Sequence, residues 1–132
     1  MLDQIFQALG DKLDGISGLR VYRYIPDQVA VPAAIVQWPT DIYYDQTFGG
    51  LVKYMFRVMV VVGTASDRAS TPALASYINA TGPTSVKEVL EVDDTLGDLV
   101  DHTTVVKASG VGNYSFAGTD YLGCVFDVEV VA

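Results

Sequence analysis

The stretch LVKYMFRVMVVVG, residues 51–63, decides the fold. Alternate residues of an extended chain face opposite ways, so a period of two separates Tyr54, Phe56, Val58, Val60 and Val62 from Lys53, Met55, Arg57, Met59 and Val61. The first set is wholly apolar and belongs against a core. The second begins polar and becomes apolar, so its far half needs a cover, either a helix or another subunit. This is a long strand, and its partners must be strands as well.

On the N-terminal side, Asp41–Thr47 reads as a strand, with Phe48, Gly49 and Gly50 as the turn into the long one. Ala33–Trp38, opened by Pro32 and closed by Pro39, reads as another. Leu19–Tyr24 makes a short strand ended by Ile25, Pro26 and Asp27. Ahead of these, Leu2, Ile5, Phe6, Leu9 and Leu13 recur at helical spacing, which predicts a helix over residues 2–14. Gly15 and Gly18 stop it. Gly10 sits inside the helix at a cost of about 1 kcal/mol relative to alanine.

On the C-terminal side, Ser66–Arg68 turns into a helix carrying Leu74, Tyr77 and Ile78, with Pro72 in its first turn and Thr71 as cap. Thr81, Gly82 and Pro83 break the chain. Ser85 and Glu88 then form a capping-box pattern ahead of Val89 and Leu90. After an acidic loop, Asp93 to Asp101, residues Thr103–Lys107 and Val111–Phe116 are extended, and Ala117–Thr119 turns the chain. The final strand, Tyr121–Val131, points Leu122, Cys124, Phe126, Val128 and Val130 one way and Tyr121, Asp127 and Glu129 the other. The order α-β-β-β-β-α-α-β-β predicts an α+β fold: a single mixed or antiparallel β-sheet with helices packed mainly on one face. Residues 1–132 read as one domain.

Half of the 132 residues are apolar, enough for one core. The longest unbroken apolar run, Val58–Val62, is far short of a membrane span, so no membrane partner is expected. The N-terminus is amphipathic and acidic, without the basic start of a secretory signal. The single cysteine, Cys124, excludes an intrachain disulfide. A net charge of −8 repels free nucleic acid and argues against ordinary DNA or RNA binding.

The chain holds no constellation that carries chemistry. His102 is the sole histidine, and its neighbour Asp101 faces the other way in a strand. Asp93, Asp94, Asp98 and Asp101 fail the calcium-loop template, with Thr95 and Gly97 where acids belong. Ser85 and Lys87 are too close for a Ser-x-x-Lys pair. Gly110, Val111 and Gly112 lack the third glycine of a dinucleotide loop and read as a bulge or a flexible hairpin arm. Cys124, on the inward face of its strand, reads as a small apolar residue. The expectation is no catalytic residue, no metal and no cofactor. Eight tyrosines remain to be explained. Tyr43, Tyr44, Phe48 and Tyr54 gather around one hairpin, where aromatic rings suit either a protein interface or a cap on the core of their own subunit.

Four segments taken in order carry a resemblance: GLRVYRYIPDQVAVPAAIV at 18–36, YYDQTFGGLVKYMFRVMVVVGTASDRAS at 43–70, GPTSVKEVLEVDDTLGDLVD at 82–101 and YLGCVFDVEVVA at 121–132. Together they resemble the tail terminator (tail-to-head joining) proteins of long-tailed, non-contractile, siphovirus-type bacteriophages, especially those of actinobacteria. The resemblance covers nearly the whole chain. It implies a non-enzymatic virion protein of the phage tail, assembled in the host cytoplasm as a homo-oligomer, a hexameric ring. Such a ring caps the head-proximal end of the tail tube and stops its polymerisation. Its partners are the tail-tube protein and the head-completion or connector protein, and DNA passes through its lumen as cargo. An acidic lumen would keep that DNA from sticking.

Within this reading, long β-hairpins project for ring assembly. The hairpin from Ile42 to Tyr54, with Tyr43, Tyr44, Phe48, Gly49, Gly50, Leu51 and Tyr54, is the first candidate for the subunit or tube contact. The glycine-rich arm from Gly110 to Gly118, with Val111, Tyr114 and Phe116, is the second. The alternatives are another head–tail connector or tail-tube protein, an acidic DNA-mimic inhibitor and, last, a small hydrolase. A mimic spaces carboxylates densely, whereas charged residues here make up only 18% of the chain.

Overall fold

The computed structural model describes residues 2–44, 50–64 and 66–132. In chain order its elements are α1 (Leu2–Leu13), β1 (Arg20–Tyr22), β2 (Ala33–Tyr43), β3 (Lys53–Thr64), α2 (Ser70–Ile78), α3 (Val86–Glu91), β4 (His102–Phe116) and β5 (Thr119–Val131). The strands form one five-stranded sheet in the order β1-β2-β3-β5-β4. β1 runs parallel to β2, and every other pairing is antiparallel. The fold is α+β with a single mixed sheet.

β3 lies at the centre because it alternates most regularly. Phe56, Val58 and Val60 are paired on one flank with Val128, Phe126 and Cys124 of β5. On the other flank Val58 and Val60 meet Val36 and Ala34 of β2. All are buried, and Ile5, Phe6, Leu9 and Leu13 of α1, Leu74 and Tyr77 of α2, and Val86 and Leu90 of α3 close the same core. Each such side chain contributes about 1.5–3 kcal/mol through removal from water.

Six strands were expected, and the described residues form five. β2 does not end at Pro39; it continues to Tyr43, so Asp41–Tyr43 belongs to it rather than to a separate strand. The ladder with β3 skips from the Gln37–Arg57 pair to the Asp41–Met55 pair. Pro39 falls in that skipped segment, where its missing N–H breaks no ladder bond. The far end of that expected strand, with Phe48 and Gly49 of the turn, lies outside the described residues.

β4 is likewise one strand, with an extra residue at Val106 and another between Ser109 and Gly112. Gly110 adopts φ 63°, the left-handed conformation such a bulge requires. Together β4 and β5 make a long hairpin, and β5 remains paired with β3 as far as Tyr121.

Part of the outer face of β3 is covered by the sheet's own neighbouring side chains, without a helix. Val61 is buried beside its partner Gly123, and the ring of Tyr114 lies over that glycine. Ile35, paired with Met59, is flanked by its β1 partner Tyr22. Toward the start of β3 this face carries ion pairs around Met55. Asp127 forms ion pairs with Arg57 at 3.5 Å and Lys107 at 3.6 Å, and Lys53 meets Glu129 at 3.6 Å.

Helix ends follow local chemistry with two departures from expectation. Ser85 caps α3 by accepting from the Glu88 N–H at 3.1 Å, but Glu88 bonds the Gly82 N–H at 2.9 Å instead of completing the box. Thr71 does not cap α2, whose cap position is Ala69. Ser70, the first helical residue, instead donates to the Thr64 carbonyl at 2.9 Å and ties α2 to the end of β3.

A Cβ at Gly123 would press on the Val60 carbonyl and stand 2.8 Å from Val61 Cγ1. Gly123→Ala is therefore expected to cost about 1–3 kcal/mol. Its ladder partner Gly112, with nothing nearer than 4.0 Å, should accept alanine with little change. Urea midpoints at constant m-value check both.

Candidate functional site

Alternation along β2 carries Trp38 to the same side as Ala34 and Val36, the helix side, where it stacks on Phe6 of α1 at 5.2 Å with an interplanar angle of 15°. Phe6 is buried; Trp38 keeps 59% of its surface exposed. Beside it, the chain leaving β1 holds out Tyr24 and Ile25, 66% and 70% exposed. Between these elements lies a groove of about 470 Å³ lined by Phe6, Arg23, Tyr24, Val36, Gln37 and Trp38. Large apolar side chains gathered at one surface mark a docking site more often than scattered ones do.

Arg23 closes one end of the groove, and it explains Gly10. The guanidinium lies across the helix at that residue, with Nε 2.5 Å from where a Cβ would stand. The missing side chain is the seat of the arginine, which offsets the helix penalty expected from sequence. From there Nη2 donates to Asp11 at 2.6 Å and approaches Asp14 at 3.7 Å. Nε is buried without a hydrogen-bond partner. The groove therefore has apolar walls and an acidic rim around one cation.

The hairpin aromatics expected to act together are distributed over the sheet. Tyr54 is half-buried against the core, with Phe56 at 6.1 Å. Tyr43 lies on the other face, with Lys53 Nζ 5.0 Å from its ring centroid. Tyr44 is exposed. Gly50 has φ 74°, and Leu51 is half-buried. Phe48 and Gly49 lie outside the described residues. On the second expected arm, Val111 is exposed at the bulge and Phe116 tilts against Tyr121 at 6.3 Å. Tyr114 donates to the Gly110 carbonyl at 2.6 Å, and burial pushes its pKa up.

Sequence reasoning missed Tyr24, Ile25, Arg23, Trp38 and Phe6. The available signal was a lone tryptophan beside Pro39 in a strand that otherwise alternates.

The groups screened for chemistry occupy structural positions. Ser85 is a buried helix cap whose hydroxyl also donates to the Asn79 carbonyl, and Lys87 binds Glu91 at 2.7 Å. His102 and Asp101 are exposed, and the Asp101 N–H bonds the Val131 carbonyl. Cys124 is buried in the core, and burial pushes its thiol up to about 11. Among the described residues no group of three acids, histidines or cysteines is placed to hold a metal ion. No helix among them is long and apolar enough to cross a membrane.

The acidic loop is packed rather than wholly solvated, because Leu96 and Val100 enter the core. Asp93 accepts from Lys12 at 2.9 Å, Thr95 at 3.0 Å and the Gly97 N–H at 3.0 Å.

No protein-family model matches the chain, and no curated protein matches it significantly. The surface must therefore be read from its own chemistry.

The bonds from Lys12 and Thr95 hold the Asp93 carboxyl below the usual carboxylate range. A depressed folded pKa contributes stability above the ordinary aspartate range, and that stability is lost as pH falls through the folded value. Asp93→Asn is expected to flatten the acid-side decline of the urea midpoint while leaving the neutral fold intact.

Proposed function

We propose that this chain is a structural virion subunit. In this reading, copies assemble into a hexameric ring that caps the head-proximal end of a phage tail tube. The ring ends tube polymerisation and joins the tail to the head connector, and DNA passes through its lumen. The observation that carries the proposal is the exposed ledge of Tyr24, Ile25 and Trp38 on a fold whose core is already closed. The resemblance of the four sequence segments supplies the tail setting.

The mechanism is geometric. One ring face complements the last ring of the tube and the other binds a different partner, so addition cannot continue. The tips of the β2–β3 and β4–β5 hairpins, with Tyr44 and Leu51 on one and Phe116 on the other, are the surfaces to test against tube and connector. A net charge of −8 per copy would give a lumen that repels phosphate. A DNA-mimic role is less well supported, since Asp11, Asp14, Glu91, Asp93, Asp127 and Glu129 each face a lysine or arginine.

Purified protein should form closed rings of one mass by light scattering and negative-stain imaging. Long filaments would point to a tube subunit instead. A monomer at high concentration without affinity for tube ends would overturn the proposal.

A further inference from the structure

We infer that the ledge of Tyr24, Ile25 and Trp38 receives the β4 edge of a second copy of this chain, around Val106 and Val111. The inference rests on the ring reading and names the contact that would close it.

Position comes first. The ledge belongs to the β1–β2 end of the sheet, and β4 is the strand at the opposite end. A contact between two different patches at opposite ends is heterologous: each copy gives one surface and accepts with the other. Such contacts propagate in one direction and close when the rotation per copy allows.

Charge comes second. Copies carrying −8 repel each other over most of their surface. β4, the long edge strand, is one of the acid-free elements. From His102 to Phe116 it contains no aspartate or glutamate, and its Lys107, 62% exposed, stands 3.6 Å from Asp127 of the neighbouring strand. The ledge is rimmed by Asp11 and Asp14, 75% and 53% exposed. An acid-free strand bearing a lysine thus meets an apolar groove with an acidic rim.

The form of the edge comes third. Glu91 of α3 takes the Val105 N–H at 2.8 Å and covers the edge at that level. The strand then runs on as the outermost member of the sheet. Its bulges leave Val106 and Val111 standing out, 50% and 62% exposed. Apolar knobs on an edge strand, facing no partner strand, suit an apolar groove.

Trp38 is the only tryptophan, so its emission reports this contact directly. Emission should move to shorter wavelength as concentration rises through assembly. A second measurement uses Ile25→Cys and Val111→Cys, both at exposed positions outside the core. Under mild oxidation, a mixture of the two proteins should form the mixed disulfide about tenfold faster than either protein cross-links alone. Cys124 is buried and does not compete. If rings form with Trp38 emission unchanged and no mixed disulfide, this contact is overturned while the ring reading stands. Faster self-linking of either variant alone indicates a two-fold contact and also overturns it. A chain that stays monomeric overturns both.

Discussion

The pairing of β3 with β5 is the constraint on which the rest of the molecule depends. Its register places Phe56, Val58 and Val60 level with Val128, Phe126 and Cys124 on one face, and Arg57 level with Asp127 on the other. A slip of one residue would send every one of these side chains to the wrong face, burying the charged row and exposing the core. α1 offers a single apolar stripe, which packs across β1 and β2 and against α3. Acceptance of α1 in turn fixes Phe6, and Phe6 fixes Trp38. The ledge is thus a consequence of the register of β2 on the central strand β3.

What was legible in the sequence follows from the same logic. α1, β3 and β5 announce themselves because periodicity is written into each segment alone. A bulge is not written that way: it is an extra residue relative to a partner strand, and the partner lies elsewhere in the chain. Pro39 therefore looks like a strand end, although it sits in a segment where the ladder needs no N–H. Gly10 looks like a flaw in a helix, because Arg23, which needs the space, belongs to a different element. The candidate surface was illegible for a related reason. Tyr43, Tyr44 and Tyr54 are close in sequence, but alternation and antiparallel pairing send Tyr43 and Tyr54 to opposite faces. Phe6, Tyr24 and Trp38 are far apart in sequence and meet only through the packing of α1 across β1 and β2.

Electrostatics divides the surface in a way composition hides. On the face without helices, Arg57 and Lys107 share Asp127, and Lys53 faces Glu129, so acid and base balance locally. Exposed pairs of this kind are each worth about 0–1 kcal/mol and do little to hold the fold. Their effect is to keep that face wet and of low net charge. The excess of acid lies elsewhere, including Asp94, Asp98 and Asp101 between α3 and β4, all exposed. An acidic chain that self-associates must do so through surfaces poor in acid or where its acid meets base, and this restricts the choice far more than apolar area does.

The two edges of the sheet meet the hazard of unpaired backbone differently. β1 is three residues long and leaves little to template on. β4 is fifteen residues long, with one lysine as its only charged side chain apart from the titratable His102. A monomer with that edge fully bare would be prone to indiscriminate strand pairing. The two bulges prevent it. Each adds local twist and interrupts the regular run of N–H and C=O groups, so a second β4 cannot align along the whole strand. Each also holds out a valine where a flat edge would present backbone. The same irregularity that discourages pairing of like edges therefore favours a partner with a shaped apolar recess, and the recess beneath Trp38 is on the opposite side of the same molecule.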